Sequence, residues 1–126
     1  MSIGEKIKFF NGLVESFLQQ LSPFIGTSYH HYFTKLIKFN AVMPIQNFIY
    51  YAIPMKDKIL NRDETYFTNP DNHVDKVKES KEENALDEII RLKGIWEQLS
   101  NESKGAVWDM TELMLHTAME YLELKK

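Results

Sequence analysis

The sequence predicts an all-α fold, a compact bundle of five or six helices with a polar loop near residues 69–83. Three observations carry this expectation. Ile3, Ile7, Phe10, Val14, Phe17 and Leu21 step by 4, 3, 4, 3 and 4, which keeps six large apolar side chains on one stripe of a helix. Ala85, Ile89, Leu92, Trp96 and Leu99 repeat that rhythm, and Val107, Met110, Met114, Thr117 and Tyr121 carry it onward. Strand-like alternation is absent, apart from the ambiguous stretch 48–51.

Each element has a start and a stop in the sequence. Ser2 and Glu5 form a capping box for the first helix, which is expected to end near Leu21 because Ser22-Pro23 follows. Gly4 and Gly12 weaken it by roughly 1 kcal/mol each relative to Ala, so packing must hold it. Thr27 or Ser28 caps a second helix through Phe39, with Tyr29, Phe33, Leu36 and Ile37 on one side and Asn40 as a left-handed terminus. Pro44 opens a third helix carrying Ile45, Phe48, Ile49, Ala52 and Ile53. Pro54 breaks it, a new short helix runs to Leu60, and Arg62-Asp63-Glu64 closes that one.

From Asn69 to Glu83 the apolar content nearly vanishes, which reads as a long loop, with a polar surface helix over 74–83 as the alternative. Two helices then finish the chain, with Ser100 capping the second. Leu86, Ile90, Ile95, Ala106, Leu113, Ala118 and Leu122 widen both apolar stripes beyond a coiled-coil seam. The expected organisation is one helical domain over 1–126. It comprises an aromatic-rich half (1–68), a polar linker (69–83) and a C-terminal helical hairpin (84–126).

The totals narrow the function classes. A 126-residue domain buries roughly two-thirds of the surface its unfolded chain exposes, so it needs no disulfide or metal for stability. The absence of Cys removes thiol nucleophiles, CxxC redox motifs, thiolate zinc sites and iron–sulfur clusters. The formal charge is −3, opposite in sign to that of most polyanion binders. No apolar run reaches the ~18 residues of a membrane helix. The first helix lacks a signal-peptide pattern, and Ser2 replaces the Gly that myristoylation needs. Asn101-Glu102-Ser103 matches a glycosylation acceptor, which without a secretion signal has no use. An intracellular protein with no membrane partner is expected.

Catalytic and metal chemistry find no anchor. His30 and His31 are neighbours that point about 100° apart on a helix, His73 lies in the polar stretch, and His116 has only Glu112 at i−4. That is a poor ligand set, so no metal and no cofactor are expected. The carboxylates are scattered. Pro70-Asp71 with Glu79-Ser80-Lys81 imitates a nuclease pattern, without the strands it requires. Gly4, Gly12, Gly26, Gly94 and Gly105 never cluster into a phosphate loop, and G-x-S-x-G is absent. An enzyme is the third choice of function.

Aromatic residues are the surplus. Residues 24–67 hold most of the tyrosines and several phenylalanines, beside two Trp and six Met in the whole chain. Exposed aromatic and Met side chains on helix faces suit protein binding. Tyr29, Tyr32, Tyr50, Tyr51 and Met55 are the candidate contacts for a protein partner or for a second copy in a homo-oligomer. The alternative is a nucleic-acid accessory role, with Lys35, Lys38, Lys56, Lys58 and Arg62 as a basic edge and the 29–33 rings as stacking surfaces. Asp57, Asp63 and Glu64 interrupt that edge.

Two stretches carry a family resemblance. One is Ile53-Pro54-Met55-Lys56-Asp57-Lys58-Ile59-Leu60-Asn61-Arg62-Asp63-Glu64-Thr65-Tyr66-Phe67. The other is Ala85 to Leu92 with Ile95-Trp96, then Ser103-Lys104 and Val107-Trp108. Together, over about half the chain, they resemble small helical proteins encoded by large DNA viruses of eukaryotes. The resemblance implies a viral origin and residence in an infected cell, cytoplasm or nucleus, or in a virion. It brings no activity or functional residues with it. The expected function is a non-enzymatic interaction or scaffolding protein, such as a virus-encoded adaptor or virion component.

Overall fold

Apolar stripes at helical spacing can be buried only against one another, and the structure, a computed structural model, shows how they meet. It describes residues 1–69 and 85–126, and for residues 85–89 and 92 the backbone alone. The described residues form seven α-helices and no strand. They are α1 (Ile3–Ile25), α2 (Ser28–Phe39), α3 (Met43–Ala52), α4 (Lys56–Leu60), α5 (Glu64–Thr68), α6 (Ala85–Gln98) and α7 (Asn101–Lys125). A 3-10 turn over Ile53–Met55 joins α3 to α4. The all-α bundle expected from the periodicity is the observed fold. The polar stretch expected at 69–83 and its helical alternative at 74–83 lie, Asn69 apart, outside the described residues.

The capping box forms as spelled. Ser2 Oγ accepts from Glu5 N–H at 3.2 Å, and Ser2 N–H donates to Glu5 Oε1 at 3.1 Å. Hydrogen bonding from Ser2, its backbone foremost, holds the Glu5 carboxyl below the usual carboxylate range. The expected end at Leu21 is a correction, because α1 runs through Pro23 to Ile25. Proline has no N–H for the Gln19 carbonyl four residues back. The Ser22 hydroxyl donates to that carbonyl at 2.8 Å instead, so the helix continues. Gly26, at φ +82°, then ends it in a conformation that side-chain-bearing residues rarely adopt.

Asn40 departs from expectation as well. Its backbone is extended rather than left-handed, and its Oδ1 accepts from Val42 N–H at 3.2 Å to turn the chain into α3. Pro54 does break α3, through the 3-10 turn. The short helix α5 is an addition, capped by Asp63, whose Oδ1 accepts from Tyr66 N–H at 3.0 Å. Ser100 caps α7 as expected, accepting from Ser103 N–H.

The core sits on both sides of α7. Toward α1, Met114, Ala118 and Tyr121 pack against Phe10 and Ile45, with Phe10 edge-on to Phe48 at 5.2 Å. On the other side, Leu115 packs with Ala52 and Ile59 beneath Phe67. The helices α1 and α7 run antiparallel, and Lys6 near the start of one pairs with Glu120 near the end of the other. The proposed widening of the α6 and α7 stripes holds only in part: Ala118 is buried, whereas Ile90, Ala106 and Leu113 face solvent.

The α4–α5 corner explains Arg62. Arg62 N–H donates to the Ile59 carbonyl and Asp63 N–H to the Lys58 carbonyl, both at 3.0 Å, closing a Schellman turn with Arg62 at φ +52°. Glycine is the usual occupant of that position. Arginine holds it because its guanidinium reaches α7, donating to Asp109 Oδ1 at 2.6 Å and to Glu112 Oε1 at 3.0 Å. Replacing Arg62 by Ala loses both bonds and keeps the backbone strain, whereas Gly loses the bonds and relieves it. Thermal unfolding should therefore rank wild type above Arg62→Gly and Arg62→Gly above Arg62→Ala. An Ala variant as stable as the Gly variant would mean that the corner carries no strain.

Candidate interaction face

The helix α2 is amphipathic by position. Tyr29, His30, Phe33, Leu36 and Ile37 recur at i, i+1, i+4, i+7 and i+8, and all are buried or half-buried. His31, Tyr32, Lys35, Lys38 and Phe39 recur in the same rhythm on the opposite side, and all are exposed. The inward side is tied to α1, where His30 Nε2 lies 3.2 Å from Glu15 Oε1 and 3.4 Å from Gln19 Nε2. The outward side carries two large apolar rings in water: Tyr32 is 70% exposed and Phe39 92%. Between them stand Lys35 and Lys38, with no ion-pair partner among the described residues.

Charge is distributed unevenly along the chain. Residues 16–56 contain no Asp or Glu, and their only full charges are Lys35, Lys38 and Lys56. A segment of charge +3 thus sits in a chain of −3. The outward face of α2 belongs to the basic segment.

The other residues singled out by sequence have different surroundings. Tyr29 lies on the inward side, where its hydroxyl accepts from Arg91 Nη1 at 2.9 Å and its ring lies under the guanidinium. It is a latch between α2 and α6. Tyr50 and Tyr51 stack edge to face at 4.9 Å, and neither is without a partner in the chain. Met55 and Lys56 are half-buried. Lys58 pairs with Asp63 at 3.6 Å and lies over the Tyr66 ring. Arg62 is engaged with α7, and in taking Glu112 it also takes the carboxylate that the sequence offered to His116. The basic edge proposed from sequence is thus interrupted by the chain's own acids at Lys58 and Arg62. Phe39, the most exposed large apolar residue here, was not among the candidates. Its signal was present, since it stands seven residues from Tyr32 and off the inward stripe.

Part of the remaining aromatic surplus is half-buried in ring-to-ring contacts. Trp96 and Trp108 meet edge to face at 5.7 Å, Phe67 lies 5.8 Å from Trp108, and Tyr66 lies 5.3 Å from Phe67. This row joins α5, α6 and α7. Lys104 closes it by lying over Trp96 and bonding Glu64 Oε1 at 3.1 Å. The Trp96 indole N–H is buried and reaches no acceptor at hydrogen-bond geometry among the described residues, yet it acts on Glu64. Its influence, followed by that of Lys104, holds the Glu64 carboxyl below the usual range.

A shallow cleft open to solvent lies between α1 and the α6–α7 turn, walled by Phe17, Leu21, Phe24, Leu99 and Val107. Its lining includes no ionisable side chain. Among the described residues no three His, Asp or Glu side chains gather as a metal site would require. No described helix is long and apolar enough to cross a membrane. No protein-family model, curated protein or solved structure matches this chain.

Proposed function

We propose that the chain is a non-enzymatic interaction protein that docks a protein partner on the outward face of α2. The observation that supports this most is the pair of exposed rings, Tyr32 and Phe39, on a helix whose other side is already packed. Rings fixed on an ordered helix lose little freedom on docking, and aromatic side chains dominate the energetics of protein interfaces. The resemblance to small helical proteins of large DNA viruses extends the proposal to a virus-encoded adaptor or virion component, acting inside an infected cell. A second copy of the chain is one form the partner can take.

A second reading, a nucleic-acid accessory protein, is favoured by the acid-free segment and by Lys35 and Lys38 beside stacking-competent rings. The internal pairing of Lys58 and Arg62 weighs against it.

Photo-crosslinking distinguishes these readings. A photo-reactive residue in place of Phe39 should give one discrete protein adduct in eukaryotic cell extract, lost on Tyr32→Ala. The same probe at exposed Glu97 should give none. Equal and diffuse labelling from both positions would overturn the proposal, and adducts to nucleic acid alone would install the second reading.

A further inference from the structure

We infer that the occupant of the α2 face is an acidic amphipathic helix of a partner protein, an inference that rests on the docking role proposed above. The geometry comes first. Tyr32 and Phe39 are seven residues apart, two helical turns, or about 10.5 Å along the axis. Lys35 lies between them on the same side, so the pattern is one heptad of a seam, with apolar residues at its ends and a cation in the middle. A helix laid along α2 meets this seam with two apolar side chains seven residues apart and places a carboxylate against Lys35. Lys38 flanks the seam and takes a second carboxylate.

Charge complementarity selects the occupant's sign. The face lies in a 41-residue stretch without a single acid (16–56), so nothing local in sequence neutralises the two lysines. A basic or neutral helix would leave them repelled or unpaired. The chain's own α7 is a poor candidate in a second copy. Its Asp109 and Glu112 are engaged by Arg62, Glu120 by Lys6 and Glu123 by Lys126. Nucleic acid fits less well than protein. Two lysines neutralise two phosphates, which supports only a shallow salt dependence and weak binding on a chain of net charge −3. Two apolar rings at heptad spacing, by contrast, match a helix.

The test uses the full chain and three labelled helical peptides with the same leucine heptad stripe, flanked by Glu, Gln or Lys. Fluorescence anisotropy at low salt should rank them Glu, then Gln, then Lys, with the extremes roughly tenfold apart, as befits two exposed ion pairs exchanged for repulsions. Raising the salt should compress the ranking. Phe39→Ala should weaken all three, and the double variant Lys35→Glu, Lys38→Glu should reverse the order. Both changes fall on exposed positions, and circular dichroism will confirm that the variants fold. An unchanged order in the double variant overturns the inference, as does tighter binding of single-stranded oligo-dT than of the Glu peptide. Light scattering of the free protein covers the remaining case: a dimer that Phe39→Ala dissociates would hand the face to a second copy. If crosslinking from position 39 succeeds while the peptides bind without charge preference, the docking role stands and the acidic partner does not.

Discussion

Phe10→Ala is expected to lower the unfolding free energy by about 3–5 kcal/mol, as read from denaturant midpoints. The Phe10 ring is 1% exposed and is wedged among Ile45, Met114, Ala118 and Tyr121, edge-on to Phe48. Its removal leaves a cavity in the α1–α7 contact, and the close packing of two long helices gives little room for collapse. A domain of this size has about 5–15 kcal/mol in all, so the variant should sit near the threshold of folding. The neighbouring Phe9, 40% exposed, is the control, and Phe9→Ala should cost under about 1 kcal/mol. Similar losses at both positions would mean that the apolar stripe is not oriented as described.

Asn11→Asp should be comparably damaging, and only away from acid. Asn11 is buried in α1, and its Nδ2 donates to the Ala41 carbonyl at 2.9 Å, holding the α2–α3 connection against the first helix. Its Oδ1 is buried without a partner among the described residues. A carboxylate there would be an unpaired charge facing a carbonyl oxygen, at a cost of about 3–5 kcal/mol. The protonated acid, however, has an O–H to donate to Ala41 as the amide does. Burial raises the folded-state pKa above the unfolded value near ~3.9. Below the unfolded value both states are protonated and the penalty is absent. It grows as pH rises through the unfolded value and levels off above the folded one. Denaturation of variant and wild type across that range should therefore give a stability difference that opens with pH. A difference independent of pH would place Asn11 in contact with water.

The sequence made the fold legible wherever a helix buries one side. The α1 stripe, the inward face of α2 and the Ser2 and Ser100 caps could all be read because one local rule governed each. The helix α7 was harder, because it buries two sides. Met114 follows the stripe read from sequence, whereas Leu115, fully buried against Ala52 and Ile59, lies off it. Pro23 misled because the compensating donor was the side chain of its own neighbour, Ser22. The α4–α5 corner was hidden because its left-handed position is filled by Arg62, whose justification lies on α7, 47 and 50 residues away.

The candidate face was half legible. Tyr32 is legible as a protein contact and Lys35 and Lys38 only as part of the alternative basic edge, whereas Phe39 is one aromatic among many in the sequence. The sequence leaves open whether the surplus of rings is core or surface, and part of it forms the half-buried α5–α6–α7 row. Trp96, Trp108 and Phe67 meet there only through tertiary contacts, which no periodicity within a single helix reports.

The partnership of α1 with α7 also sets the order of events in making the protein. Lys6 and Glu120, which close that pair, are 114 positions apart. Most small helical proteins assemble from contacts between neighbours in sequence, and so fold quickly. Here Phe10 finds Met114 and Tyr121 only after all the residues between them have been synthesised. At a ribosomal pace of about 5–20 residues per second, α1 spends several seconds with α2 and α3 available to it while the side that α7 covers stays open. During that interval the nascent chain leaves the Met114 and Tyr121 side of Phe10 open to chaperones, and α7 is the element that closes it.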